Sequence, residues 1–152
     1  MRNFTILEFG GKQWAMDFSH LREVVEQLPC TPIPLSPATY RGVINLRGDL
    51  VPVLALDAWL SLGTADTTLA RRPWMAVLDV GRNFFGILTD RVNTATYEGE
   101  LEEPPQGMGA FLEGIAQTPA GVLHVIRLPS LIRHLEQGLK LEHLLPSAQL
   151  AA

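Results

Sequence analysis

The sequence predicts an all-β fold, mainly short strands with a little helix, arranged as a small β-barrel unit that occurs twice along the chain. Two internal echoes and the regular turn signals between short apolar runs carry that reading. In the first echo, residues 4–9, the turn Gly10-Gly11-Lys12 and residues 13–18 spell strand, glycine turn, strand, which is a β-hairpin. Residues 74–80, the turn Gly81-Arg82-Asn83 and residues 84–88 repeat it, with Gly81 standing 71 residues after Gly10. The register continues past the turn, because Trp14-Ala15-Met16 and Phe85-Gly86-Ile87 are each an aromatic, a small residue and a large aliphatic. The second echo joins residues 51–60 to residues 123–132 at a spacing of 72, both running from a strand into a short helix. Two units of about 70 residues follow, each a handful of short strands with a helical turn. Short strands with regular turns favour barrels or sandwiches over a parallel sheet.

Local chemistry places each element in order. After the first hairpin, Leu21-Arg22-Glu23-Val24-Val25 is read as helical, and Leu21 there either packs inward, as apolar helix residues usually do, or docks a partner. Val43, Ile44 and Leu46 form one strand, residues 50–56 the next, and Gly48-Asp49 the turn between them, so Arg47 stands where a strand leaves the core. Asp57 and Ser130 are helix-capping types, Pro129 is tolerated near a helix start, and Gly63 and Gly138 can close the helices. The small polar run 62–68 is a linker, giving halves 1–68 and 69–140, one barrel each, within a single domain 1–145. Glu98, Glu100, Glu102 and Glu103 lead into Pro104-Pro105, a charged connection that stays in solvent. Residues 146–152 form a frayed tail.

The composition bounds what such a domain can do. With 152 residues, of which 47% are hydrophobic, the chain can bury a core without staples. A net charge of -4 with no basic patch beyond Arg71-Arg72 argues against nucleic acid as a partner. Cys30 is the only cysteine, which rules out an internal disulfide and suits a reducing compartment. No apolar run reaches the ~18 residues of a membrane span, and the N-terminus passes directly into a strand pattern without a signal-peptide block. A cytoplasmic protein without direct membrane insertion is the expectation.

The chemistry-bearing residues do not converge. His20, His124, His134 and His143 are dispersed, with no H-E-x-x-H spacing, and Cys30 has no C-x-x-C partner, so no metal site is expected. His124 sits on a strand as a satisfied, partly buried histidine, while His134 and His143 belong to a surface stretch. Hydrolase-elbow, phosphate-loop and dinucleotide motifs are absent. Asp57, Asp79 and Asp90 fall at strand ends and turns, where aspartate is commonplace. No catalytic residue, cofactor or enzymatic activity is expected.

The stretch Arg41-Gly42-Val43-Ile44-Asn45-Leu46-Arg47-Gly48, followed by Val51-Pro52-Val53, resembles the signature of the CheW family of chemotaxis adaptors. The likeness extends to Leu21-Arg22-Glu23-Val24-Val25, the Pro32-to-Pro37 approach, residues 85–92 and Leu112-Glu113-Gly114-Ile115-Ala116, in matching order. The resemblance implies two five-stranded SH3-like barrels packed through a shared hydrophobic core, with a groove between them and a C-terminal helix. It also implies a non-enzymatic signal-transduction scaffold that couples a chemoreceptor's cytoplasmic tip to the regulatory domain of a CheA-type histidine kinase. By position it assigns Leu21, Glu23, Val24, Asn45, Arg47 and Gly48 to the receptor and kinase interface. For Glu23 a structural alternative stands beside that role, pairing with Arg47 or Arg22. The chain departs from the family where Asp is common, carrying Ala55 and Arg127. That departure admits an adaptor of a type IV pilus or other alternative chemosensory pathway. A small β-barrel module binding nucleic acid or peptide is the alternative from another class.

Overall fold

The computed structural model describes residues 1–32, 40–54, 73–81, 83–106 and 111–133. The helix expected after Asp57, the linker 62–68, Ala55, Gly63, Gly138, His134, His143 and the tail 146–152 lie outside the described residues. The strands are β1 (Arg2–Phe9), β2 (Lys12–Asp17), β3 (Leu21–Glu26), β4 (Tyr40–Leu46), β5 (Asp49–Leu54), β6 (Trp74–Val80), β7 (Asn83–Thr89), β8 (Arg91–Tyr97), β9 (Leu112–Thr118) and β10 (Gly121–Ile126). A 3-10 turn (Phe18–His20) joins β2 to β3. A helix, α1, starts at 128, and its described part runs to 133.

The strands form two mixed five-stranded sheets, ordered β8-β1-β2-β10-β9 and β3-β6-β7-β5-β4. Advancing every strand of the first sheet by five positions, cyclically, reproduces the order of the second, so the sequence duplication is a structural duplication. Each sheet has one parallel pair, β2 with β10 and β5 with β7, and antiparallel pairs elsewhere. The sheets do not follow the division into halves 1–68 and 69–140. Each takes a hairpin from one half (β1-β2 or β6-β7) and three strands from the other (β8-β10 or β3-β5). The exchange follows from the linkers. After β2 the chain crosses to the other sheet through the 3-10 turn, and after β7 through the single residue Asp90. At the second crossing the buried Thr89 hydroxyl lies 2.9 Å from the Glu8 carbonyl and 2.8 Å from that of Arg91, while the Asp90 amide donates to Glu8 at 2.8 Å.

Central strands are buried on both faces, and strand alternation divides their side chains between three cores. Phe4, Ile6, Ala15, Leu123 and Val125 fill the first sheet's own core; Ile44, Val51, Val53, Met75, Val77 and Leu88 fill that of the second. The opposite faces meet between the sheets. There Leu7, Trp14 and Met16 join Leu78, Phe85 and Ile87 in one cluster, so the two large residues of each echoed triplet, Trp14 with Met16 and Phe85 with Ile87, build the shared core. The helix closes it with Leu128, Leu131 and Ile132, spaced for one helical face. Its first bond, Leu131 N–H to the Arg127 carbonyl at 2.9 Å, makes Arg127 the capping residue in place of Ser130, which lies inside the first turn.

Two further local expectations change. Leu21 to Glu26 is a strand, not a helix, because its backbone pairs with β6; Leu21 is half-buried against the shared core. The β4-β5 turn is Arg47-Gly48, since Asp49 already pairs with Leu46. The charged run after β8 is not wholly a solvated connection, for Glu102 exchanges backbone hydrogen bonds with Ile115 at 2.8 and 2.9 Å.

Candidate partner-binding surface

Arg47 and Gly48 form a two-residue hairpin turn in which both backbones are left-handed, with φ of 52° and 94°. The Gly10-Gly11 turn has the same geometry, φ 60° and 73°, and fills it with two glycines, the residues that bear such angles without strain. Arginine at φ 52° is therefore a choice that turn chemistry alone does not make. Asn45 supports the turn from within, its Oδ1 accepting from the Gly48 amide at 2.8 Å.

The guanidinium reaches across to β3. Arg47 Nη2 donates to both Glu23 carboxylate oxygens at 2.6 Å, which realises the structural alternative for Glu23. The pair is open to water on the arginine side, where the side chain is 64% exposed. Hydrogen bonding from Arg47 holds the Glu23 carboxyl below its usual range; burial opposes it, and the charges of Arg47 and Arg22 add to the lowering. Beside the turn Leu50 is 72% exposed, a large aliphatic without cover. The sequence reading missed it, since an apolar residue in an apolar strand run reads as core; its place next to the turn was the available signal.

Val24 lies on the same edge strand, 38% exposed, and with Trp74 (40% exposed) forms one wall of a groove of about 450 Å³. Arg91, Val92 and Asn93 of β8 form the other wall, so the groove runs between the edge strands of the two sheets. In the sequence Trp74 carries only the signal of a hairpin strand. The structure thus groups Glu23, Asn45, Arg47 and Gly48 at the turn, sets Val24 on the groove wall, and turns Leu21 inward.

Catalytic convergence is not found among the described residues. No three His, Cys, Asp or Glu side chains there are disposed to hold a metal ion. His124 rests against Trp14, ring centroids 4.9 Å apart, with Nδ1 3.2 Å from the Gln13 carbonyl, and His20 Nδ1 lies 3.3 Å from the Asp79 carbonyl. Both are satisfied structural histidines. Among the described residues no helix is long and apolar enough to cross a membrane.

A duplicated β module that presents a held cation, an uncovered aliphatic and an apolar groove is a protein-binding scaffold. The CheW-like domain model matches residues 3–136. The probable chemotaxis protein CheW of Rhizobium etli is 32% identical over 125 residues, covering 82% of this chain and 78% of that protein. The chemotaxis protein CheW of Treponema pallidum is 26% identical over 132 residues, with the same coverage. The crystal structure of the scaffolding protein TtCheW from Thermoanaerobacter tengcongensis superposes with a TM-score of 0.73 at 25% identity, covering 84% of each chain. The chain belongs to the CheW-like domain family. It is a chemotaxis adaptor, not an enzyme. Neither the pilus pathway nor a nucleic-acid or peptide module is favoured by these relatives. Of the two departures, Ala55 is not described, and Arg127 is exposed beside the start of α1.

Proposed function

We propose that this adaptor binds the regulatory domain of a CheA-type histidine kinase through the β4-β5 turn, and a chemoreceptor's cytoplasmic helical tip through the groove between the sheets. The observation that carries the reading is Arg47, held by Glu23 at a left-handed turn position that the Gly10-Gly11 turn of the same geometry fills with glycine. Folding alone does not require a cation there; a partner with an acidic or carbonyl-rich surface does. Leu50 beside it supplies the apolar anchor such contacts need. The groove suits an amphipathic helix, because Val24 and Trp74 offer an apolar wall to its ridge. An adaptor with these two partners would work in the cytoplasm, at an array of membrane receptors.

Calorimetry against the cognate kinase regulatory domain tests the turn, with a dissociation constant on the order of 1 μM, about -8 kcal/mol, as the expected result. Arg47→Gly weakens that binding at least tenfold without lowering the melting temperature, since glycine suits the turn. Val24→Asp leaves kinase binding intact and abolishes binding of the receptor hairpin. Absence of kinase binding across the micromolar range overturns the proposal.

A further inference from the structure

Strands β3 and β8 occupy equivalent places in the two sheets, and they differ by one residue. In β8, Val92 and Asn93 face Leu7 and Ile6 in unbroken register. In β3, Leu21 faces Leu78 and Glu23 faces Val77, so Arg22 is the extra residue of a β-bulge. Bulges re-aim the side chains beside them. The guanidinium of Arg22 lies over the Phe84 ring, 4.1 Å from its centroid, and Phe84 is itself packed against the second sheet's core. The inserted residue is thus clamped to the β6-β7 hairpin, while the residue after it accepts both short bonds from Arg47.

We infer that Arg22 is a positioning residue: lying over Phe84, it fixes the β3 bulge so that the Glu23 carboxylate meets Arg47 and holds that side chain for a partner. A planar guanidinium can lie flat on a ring, which the compact ammonium of lysine cannot do equally well. Strand β8 offers the internal contrast. It has no bulge, and the place of Glu23 is taken by Asn93, on the groove wall. The role rests on the proposed kinase contact of the turn, yet the geometry is testable without any partner.

The test is a carbon-detected NMR titration of the Glu23 carboxyl in the free, full-length protein, with the Arg47 guanidinium signals followed in parallel. In the wild type the midpoint lies below the usual carboxylate range. Arg22→Lys keeps the positive charge but loses the guanidinium over the ring, and Phe84→Leu keeps the apolar bulk but loses the ring. Each raises the Glu23 midpoint toward its ordinary value and returns the Arg47 signals to those of a freely rotating guanidinium. If both variants titrate as the wild type does, the inference is overturned. A shift confined to Arg22→Ala overturns it too, because the effect is then that of a nearby charge. Kinase-domain binding on the same samples separates the two readings: failure of the wild type to bind removes the proposed contact and leaves the NMR outcome standing.

Discussion

At the scale of single residues, the acid sensitivity of the protein is set by carboxylates whose charged form the fold favours. Asp17 caps the 3-10 turn, accepting from the Ser19 amide at 2.9 Å, and Ser19's side chain and then its backbone lower the Asp17 pKa. Glu23 is lowered chiefly by its hydrogen bond from Arg47. A carboxyl whose folded pKa lies below its unfolded value contributes stability that is complete above the unfolded value, about 4, and is lost as pH falls through the folded one. The melting temperature should therefore stay level from neutral pH to about 5 and fall below about 4. Asp17→Asn and Glu23→Gln should each flatten that acid limb, Glu23→Gln only slightly, because an ion pair so open to solvent contributes little to folding. Thermal melts at a series of pH values check both. An acid limb unchanged in Asp17→Asn would show that its capping bond is immaterial to stability.

At the scale of elements, the signature is legible as geometry once a crossing segment is seen. A Cβ on Gly42 would stand 2.6 Å from the Thr31 carbonyl oxygen, and one on Gly114 the same 2.6 Å from that of Glu102. In both cases a short segment bridges onto an otherwise free strand, Thr31 to Val43 and Glu102 to Ile115, shielding an edge. Gly42 and Gly114 stand 72 residues apart, the spacing of the second echo. The glycine of each motif is thus there to admit the covering strand. Gly42→Ala and Gly114→Ala should each destabilise by about 2 kcal/mol, since backbone cannot yield as a flexible side chain can. Denaturant melts measure this, and a cost below about 0.5 kcal/mol at either site would mean that its bridge shifts freely. The sequence reading found the hairpins because glycine turns and apolar runs are local signals. For β3 the sequence suggests a helix because residue type does not follow the strand's strictly alternating exposure: Glu23 stands on the half-buried side and Val24 on the exposed one.

At the scale of the whole molecule, duplication explains the architecture while divergence explains the site. Ladder equivalence sets Thr94 at the place of Val24 and Asn3 at the place of Trp74, with Thr96 Oγ1 donating to Asn3 Oδ1 at 3.1 Å. At these two positions the second quasi-equivalent surface is polar where the first is apolar, and the groove of about 390 Å³ there takes its exposed aromatic from the 3-10 turn instead, Phe18 at 48% exposure. The groove of Val24 and Trp74 was expected only through family resemblance, because its walls come from strands about 70 residues apart in sequence.

The division of the chain between the sheets was not legible, because an echo reveals that two segments are alike and says nothing of which partner each one pairs with. That pairing makes a sharp prediction. If each half were a barrel, a cut near Asp66 would expose one interface and leave two folded parts. With the hairpins exchanged, each half lacks two or three of the five strands in either sheet. A fragment of residues 1–66 would hold β1-β2 without the neighbours β8 and β10, and β3, β4 and β5 without the β6-β7 hairpin that joins them. Trp14, Met16, Leu78, Phe85 and Ile87, all buried in the shared core, would lose their counterparts at the same time. Two unpaired edges per sheet and a core opened on every face are more than about 70 residues can offset. Each fragment alone should give a collapsed amide spectrum, and mixing the two should restore the dispersed spectrum of the intact chain. Dispersed signals from either fragment by itself would show that its strands can close a barrel without exchange.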